Sequence, residues 1–428
     1  MKYGDLRGIL QYVPQFRGRT FVVALDGDVL ATRNFPNILL DLAVLRSLNV
    51  RIVLVHGAAR QIRALAEKRG VPLSNSDGTG VTDDATLEVS LDAITRLSNS
   101  VMQNLTAIRV RAATANAVIA HPAGIIGGVD RQHTGTIDRI DTGVLESFLD
   151  QEILPVVPPI GYDGSGRTLR VNSDAVAMEV AISLKASKII FLTTADPDFG
   201  EAAEGRRQFD ANAAEALRLA VQESVPPGLF SKLRHAIRAC REGVARVHIV
   251  NGKRDDALLA ELFSNEGVGV MVFADAYRKV RPATRQDVDE MLLMMRQAVE
   301  DEMLVERTRE EILNRLTDYA VMEIDGNIVG CVAVHGDPEA KACEVACLYT
   351  KRAHEGLGYG RRLVAEAEKM ARQRGAGAVF ALSTQTAGFF ERLGYRRQSG
   401  LSIVPDERRE RWEKSGRNAL LLVKDLGD

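Results

Sequence analysis

The stretch HEGLGYG, His354–Gly360, runs directly into RRLVAEAEKMARQRG, Arg361–Gly375. Three glycines alternate with other residues before a helix-forming run. A loop between a strand and a helix aims several backbone N–H groups at one point, and the helix N-terminus adds partial positive charge, so an anion is favoured there. Glycine lets the backbone approach closely. The same spacing also serves a plain turn, so the glycines alone decide nothing. A Walker loop would end in Lys-Ser/Thr, and a dinucleotide fingerprint would need a βαβ unit with a distal acid; neither is present.

What flanks the loop is more specific. Upstream lie a helix, RQDVDEMLLMMRQAVEDEM (Arg285–Met303), and a hairpin, YAVMEID-GN-IVGCVAVH. The turn Asp325-Gly326-Asn327 with alternating flanks is a strong hairpin signal. The strand ACEVACLYT (Ala342–Thr350) leads into the loop. Downstream come the strand AVFALS (Ala378–Ser383), the short helix TAGFFERLG (Thr386–Gly394) and the strand NALLLVKDL (Asn418–Leu426).

Further out, toward the N-terminus, the pattern changes to short apolar, β-branched runs separated by helical segments. The runs are Thr20–Leu25, Arg51–His56, Ala117–Ala120, LPVVPPI from Leu154, Lys188–Thr193 and Arg246–Val250. Strands buried on both faces read this way, and their alternation with helices predicts a mainly parallel sheet with helices on both faces. The helices include FPNILLDLAVLRSLNV and SDAVAMEVAISLKAS, the second with a cap region at Ser173. The boundary between the two patterns falls within Val272–Thr284, giving domains 1–276 and 277–428.

Length and composition bound the reading. The chain has 428 residues and a net charge of −2, so it holds two or three domains, and no basic balance argues for nucleic acid. Its four cysteines lack CxxC spacing and its seven histidines are scattered without HExxH, which fits a reduced cytoplasmic protein with no metal. Cys343 and Cys347 share one face if their segment is a regular strand. No signal-like segment or run of about eighteen apolar residues is present, so no membrane partner is expected.

The C-terminal order, with GLGYGRRL followed by FFERLGY, resembles the GNAT superfamily of acyl-CoA N-acetyltransferases. That resemblance covers residues 277–428. It implies that Glu355, Gly356, Leu357, Gly358, Tyr359 and Gly360 bind the pyrophosphate of acetyl-CoA. It also implies a splay after the preceding strand, at Cys347 and Leu348, that admits the pantetheine arm. Glu355 departs from the Arg or Gln of many members, so only its backbone is expected to contribute. The N-terminal part resembles the amino-acid kinase fold, in its acetylglutamate kinase branch. Its matching stretches are FRGRTFVVALDGD, RIVLVHGAARQI, HTGTIDRID, LPVVPPIGYDGSGRTLRVNSDAVAMEVA, KIIFLTT and GVARVHIVNGKRDDALLAELFSNEGVG. An amino-acid kinase fold joined to a GNAT fold resembles the N-acetylglutamate synthase family. The implied activity is acetyl transfer from acetyl-CoA to the α-amino group of L-glutamate, the first step of arginine biosynthesis.

Several roles follow from that resemblance. Ala24 stands where the kinases carry a lysine, Asp26 replaces a glycine, and HGAAR replaces HGGG. Phosphoryl transfer needs its cations and N–H donors in place, so a dead kinase is expected, despite polar Asn172, Asp174 and Lys232. The domain is expected to bind L-arginine as an inhibitory effector through Tyr12, Lys232, His248, Glu261 and Gly267. In the second domain Glu344 is the candidate base, since an ammonium must lose a proton before attack. Cys347 is expected to supply a backbone N–H to the oxyanion. Ser383 stands near the CoA thiolate, with Tyr395 as the alternative, because Phe390 occupies the usual tyrosine position. Arg307, Arg417 and Arg408 are expected to hold the substrate's carboxylates. Singly, each of these residues also reads as an ordinary core or surface group. A homo-oligomer (hexamer, dimer or tetramer) is the family expectation, with Met1–Phe16 as a linking helix. A bifunctional synthase/kinase, an acetyltransferase for another amine, and an arginine-sensing protein with a degenerate acetyltransferase are the competing readings.

Overall fold

The computed structural model of the chain describes residues 16–427, apart from residues 204, 223, 264–266, 275–277, 302–303, 325–326, 337–340, 352–357, 384, 401–402 and 415–418. The hairpin turn at Asp325-Gly326, Tyr12, Arg417 and the loop residues Glu355, Gly356 and Leu357 therefore lie outside the described residues. Two compact units divide the chain, Met1–Asp275 and Ala276–Asp428.

The first unit is built on an eight-stranded sheet. Its strands are β1 (Thr20–Leu25), β2 (Arg51–His56), β3 (Ala112–Thr114), β4 (Leu154–Val157), β5 (Lys188–Thr193), β6 (Gln208–Asp210), β7 (Arg246–Asn251) and β8 (Val270–Phe273). They lie in the order β6-β8-β7-β5-β1-β2-β4-β3, and only the β7–β8 pair is antiparallel. Alternate residues of β1 serve two cores. Val22 and Ala24 pack on one side with Val53, Val55 and Phe191, and Phe21, Val23 and Leu25 on the other with Ile52, Leu54 and Ile190. Burial on both faces leaves no room for polar alternation, and each such side chain contributes about 1.5–3 kcal/mol. Helices α1 (Phe35–Ser47), α2 (Asp84–Ala107), α3 (Ser173–Ser183), α4 (Pro227–Arg241) and α5 (Ala257–Phe263) cover the sheet. Asn172, not Ser173, caps α3: its side chain accepts from the Ala175 N–H.

One expected strand belongs elsewhere. The run Ala117–Ala120 lies in a strand, Val118–Pro122, of a separate four-stranded sheet with Gly135–Ile140, Ile160–Tyr162 and Thr168–Arg170. Its outer residues are largely exposed, so an apolar run could not announce them.

The second unit is a seven-stranded sheet: β9 (Arg278–Pro282), β10 (Tyr319–Ile324), β11 (Asn327–His335), β12 (Ala342–Thr350), β13 (Ala378–Ser383), β14 (Arg396–Arg397) and β15 (Leu420–Asp425), in the order β9-β10-β11-β12-β13-β15-β14. The β12–β13 pair is parallel; its neighbours are antiparallel. Helices α6 (Val288–Glu300) and α7 (Arg309–Asn314) precede β10, α8 (Tyr359–Gln373) joins β12 to β13, and α9 (Ala387–Arg392) and α10 (Asp406–Lys414) follow β13. The face with Met322, Val332, Val334, Cys343 and Val345 packs under α8, and the opposite face, with Tyr319, Val321, Cys331 and Ala333, packs under α6.

Candidate active site

Strands β12 and β13 pair only over Ala342–Glu344 and Ala378–Phe380. Beyond Glu344, β12 continues to Thr350 against β11 alone, while β13 continues to Ser383 against β15 alone. The sheet therefore opens between two neighbouring strands, and the freed backbone of β12 faces the opening. Just past the parting the β11–β12 register slips. Ala333 opposes Ala346 and Cys331 opposes Tyr349, so Cys347 and Leu348 together face Val332. This is a β-bulge, and Cys347 carries φ +50° in it, a conformation uncommon for a residue with a Cβ. The extra residue turns the Cys347 side chain to the α6 face, whereas Cys343 lies on the α8 face. The expectation that the two cysteines share a face is thereby corrected: a bulge between them shifts the two-residue alternation by one.

Several side chains converge on that bulge. Tyr319 Oη lies 3.9 Å from Cys347 Sγ, and Arg307 and His335 lie near enough to Cys347 for it to act on their charge. Arg307 is held in place by its successor. Thr308 and Glu311 form a reciprocal capping box at the start of α7, with Thr308 N donating to Glu311 Oε2 at 2.8 Å and Glu311 N donating to Thr308 Oγ1 at 3.2 Å. Such boxes fix the entry of the chain into a helix. Among the described residues no carboxylate lies within ion-pair distance of the half-buried Arg307, and Glu311 acts on its charge from further off.

His335 ends β11 directly opposite Glu344. Asp318 binds its Nδ1 at 3.0 Å and is itself paired with Arg374 at 2.9 Å. Burial works against a charged His335. The Asp318 hydrogen bond, the contact with Cys347 and the field of Glu344 overcome it, and its pKa rises to about 9. Asp318 is held below the usual carboxylate range by His335 and Arg374 in spite of its own burial. Burial pushes the Tyr319 phenol up, so it stays protonated. Neither His335, Asp318 nor Tyr319 stood out in the sequence. The one available signal was the pattern of β11, which puts a polar residue at the end of an otherwise apolar face.

Glu344 is 5% exposed. Arg408 of α10 grips it with both ends of its fork, Nε to Oε2 and Nη2 to Oε1, each at 2.7 Å. Ser383 ends β13; its hydroxyl lies 2.7 Å from Thr386 Oγ1 and accepts from the Thr386 N–H at 2.9 Å, just before α9. Tyr395 is elsewhere. It is buried beside Phe390, with the Lys424 ammonium 5.6 Å from its ring centre. Lys424 pairs with Val379 and Leu420 with Ser383, four residues apart, or roughly 13 Å along the strand.

Helix α8 starts at the mouth of the opening. Gly358 takes φ +77° as its N-cap, and no side chain caps the helix. A Cβ on Gly360 would meet the Phe389 ring at 3.1 Å, so glycine there lets the first turn of α8 sit against α9. The first-turn N–H groups of a helix have no intrahelical acceptor, and Tyr359 anchors this end by being buried. Leu348, next to Cys347, packs on the α8 side. The strand opening, the bulge and the uncapped helix end thus lie along one edge of the unit.

In the first unit the expected effector residues separate into two groups. His248 Nδ1 lies 2.6 Å from Glu261 Oε1, and Glu261 Oε2 accepts from the N–H groups of Val268 (2.6 Å) and Gly269 (2.8 Å). Burial disfavours the Glu261 charge, yet these donors bring its pKa down to about 2. Burial lowers that of His248, so a neutral ring donates through Nδ1 and leaves a buried Nε2 without a partner. Gly267, at φ +67°, wraps the carboxylate so closely that a Cβ would lie 2.8 Å from Glu261 Oε2. Lys188 is buried beside them, its Nζ 5.3 Å from the Phe16 ring centre, and burial holds its pKa well below the usual lysine range.

Lys232 is not in that group. It is buried between Asp26 Oδ1 (2.7 Å) and Asp174 Oδ1 (3.0 Å), with Ser231 Oγ donating to Asp174 at 2.8 Å. Burial would strip its charge; the two carboxylates hold it. Among the described residues no set of three or more His, Cys, Asp or Glu side chains could hold a metal ion, and no helix is long and apolar enough to cross a membrane.

Comparison with known proteins agrees with this architecture. The amino acid kinase family matches residues 19–251 and the acetyltransferase (GNAT) family residues 286–395. An amino-acid acetyltransferase of Pseudomonas putida is 34% identical over 438 aligned positions, covering 98% of both chains. One from Neisseria meningitidis serogroup B is 31% identical, covering 98% of this chain and 97% of its own. Among solved structures, N-acetylglutamate synthase from Neisseria gonorrhoeae complexed with coenzyme A and L-arginine covers both chains fully, with a TM-score of 0.85 and 29% identity. The same enzyme complexed with coenzyme A and N-acetyl-glutamate gives 0.64 and 30%. A kinase-type sheet, a GNAT sheet parted beside a bulge, and end-to-end likeness to these enzymes lead to one conclusion: the chain belongs to the amino-acid acetyltransferase family.

Proposed function

We propose that the chain transfers the acetyl group of acetyl-CoA to the α-amino group of L-glutamate, giving N-acetyl-L-glutamate and CoA. The observation that carries this reading is the parting of β12 from β13 immediately after the buried Glu344. The diphosphate of the coenzyme meets the loop and first turn of α8, where Gly358, Tyr359 and Gly360 offer main-chain donors, and its pantetheine arm runs into the opening beside Cys347 and Leu348. Arg307, with no carboxylate within ion-pair distance among the described residues, takes a carboxylate of glutamate; Arg408 and Arg417 are the further forks. Glu344 accepts a proton from the ammonium. The amine then attacks the thioester carbon, and the Cys347 N–H, turned by the bulge, donates to the oxyanion. Collapse breaks the C–S bond, the attacking nitrogen's second proton passes to the departing sulfur as the amide forms, and the Ser383 hydroxyl donates a hydrogen bond to that sulfur.

The first unit, in this reading, makes no phosphoryl transfer. Lys232 is engaged by both Asp26 and Asp174, so it is not free to meet a nucleotide's phosphates. It binds L-arginine instead. Glu261 offers a carboxylate and His248 a buried acceptor to a guanidinium, the Lys188 amine can donate to the ligand's carboxylate, and bound arginine inhibits acetyl transfer.

Thiol release from acetyl-CoA decides. The expected result is CoA release dependent on L-glutamate, at least about tenfold above other common amino acids, and reduced by millimolar L-arginine. Equal rates with a neutral amino acid would refute the substrate, unchanged rates with arginine the effector, and phosphorylation of N-acetyl-glutamate by ATP the silent kinase site.

A further inference from the structure

The proposed base and a proposed substrate-binding arginine are bound to each other. Glu344 and Arg408 are 64 positions apart in sequence, yet both carboxylate oxygens accept from the guanidinium at 2.7 Å. The side chains are 7% and 25% exposed, so the pair is shielded on the carboxylate side and open on the arginine side. Two parallel N–H···O bonds of this kind are among the strongest side-chain contacts, and they are specific to a planar carboxylate. An ammonium approaching Glu344 meets a carboxylate whose charge is already matched.

We propose that Arg408 is a latch on Glu344 that the substrate's own carboxylate releases. The fork leaves Glu344, takes a carboxylate of the incoming amino acid in the same bidentate geometry, and only then does Glu344 receive the ammonium's proton. Charges balance throughout. The guanidinium exchanges one carboxylate for another, and one proton passes from nitrogen to Glu344, leaving a neutral amine. An amine without a carboxylate offers nothing in exchange, so the base stays occupied. Arg408 therefore determines specificity at the chemical step as well as at binding. Water that reaches bound acetyl-CoA before the amino acid likewise finds the base occupied, which suppresses hydrolysis.

Three features of the fold suit this exchange. Arg408 comes from α10, a helix outside the sheet, so its side chain can move without disturbing strand pairing. Glu344 sits at the last paired residue of β12 and β13, at the root of the opening. Directly opposite stands His335, held by Asp318, so Glu344 keeps a charged neighbour after Arg408 departs.

The inference rests on Glu344 being the base, and the test separates the two. Turnover is measured with L-glutamate and with its α-amide and γ-amide in the wild type, Arg408→Gln, Arg408→Lys and Glu344→Gln, together with CoA release in the absence of any amino acid. In the wild type, the amide that removes the releasing carboxylate should lower kcat by about 10²-fold. In Arg408→Gln that kcat ratio should shrink to about threefold or less, and CoA release without amino acid should rise several-fold. The rise should vanish in the Arg408→Gln/Glu344→Gln double variant. Arg408→Lys, which keeps the charge but not the fork, should fall between. If the amides change KM alone in the wild type, or if Arg408→Gln and Arg408→Lys keep the wild-type kcat ratio with no added hydrolysis, the latch is wrong while the base stands. Should Glu344→Gln keep wild-type turnover, the base reading itself fails.

Discussion

The Asp318–His335 pair offers a test whose size can be worked from the structure. Asp318→Asn keeps the shape of the side chain and removes its charge. His335, with its Nδ1 3.0 Å from Asp318, has its pKa raised from 6.5 to about 9. That rise corresponds to roughly 3 kcal/mol of preference for the charged form, shared among Asp318, Cys347 and Glu344, with the Asp318 hydrogen bond the largest favourable share. Because the folded pKa lies above the unfolded one, this stabilisation is complete below pH 6.5 and is lost as pH rises through 9. Linkage leaves roughly 2–3 kcal/mol of it at pH 7 and almost none at pH 9.5, and Asp318 supplies only part of that. Both side chains are mostly buried, 14% and 16% exposed, so solvent screening removes little. The other groups facing His335 are Tyr319, Cys347 and Glu344, with Arg374 behind Asp318; they remain in the variant, so their titration cancels in the difference. Arg374 also keeps its bonds to the carbonyls of Val334 and Thr317. For a unit of this size, 1 kcal/mol moves Tm by roughly 2–4 °C. Thermal unfolding of the acetyltransferase unit in the wild type and Asp318→Asn should therefore differ by several degrees more, up to roughly 10 °C, at pH 7 than at pH 9.5. A difference independent of pH would show that His335 is not held charged and would refute the reasoning.

Two substitutions probe the bulge from either side. Arg307→Ala should raise the KM for L-glutamate by about 10²-fold, as expected for a lost charge-assisted pair, with the KM for acetyl-CoA within about twofold; steady-state kinetics with each substrate varied would refute the assignment by showing equal rises. Cys347→Ala keeps the backbone N–H and should retain kcat within about threefold, whereas a loss beyond about 10³-fold, with an acetylated thiol in the wild type by mass spectrometry, would mean that the sulfur itself carries the acetyl group.

Much of the fold was legible because burial on both faces writes itself into the sequence as apolar runs. β1, β2, β5 and β7 are such runs, and the structure puts them side by side. The four-stranded sheet was not legible, since its strands are short and Gly135–Ile140 is largely exposed. Glu344, Ser383 and Arg307 could be singled out in the sequence by type and position, but the side chains they lie against could not. Glu344 meets Arg408 and Asp318 meets His335 through the tertiary fold, and no local period links them. The bulge at Cys347 is invisible for a related reason. One inserted residue reverses the faces of everything beyond it, and only the partner strand reveals the insertion. In the first unit, two lysines of similar local context divide between two sites: Lys232 to Asp26 and Asp174, Lys188 to the neighbourhood of His248 and Glu261.

The charges gathered around the bulge bear on why an acidic amino acid fits there. Among the described residues, Arg307 contributes one positive charge without an ion-pair partner, tempered by Glu311. The chain Arg374–Asp318–His335 contributes one more, because its two cations share a single carboxylate. Glu344 and Arg408 cancel. The sum is two positive charges in a partly buried space, where they are screened far less than at the surface. An amino acid with one carboxylate would leave one of them unmatched. A substrate with two carboxylates gives one to Arg307 and one to the Arg408 fork, its ammonium meets the Glu344 so freed, and the His335 charge stays beside them. Removing a carboxylate should therefore be costlier here than the loss of a single hydrogen bond, because what stays behind is a desolvated cation without a partner. The same reasoning makes the charge on His335 part of substrate choice: as pH rises through about 9, preference for two carboxylates over one should weaken, and a preference that holds unchanged across that range would assign it to the arginines alone.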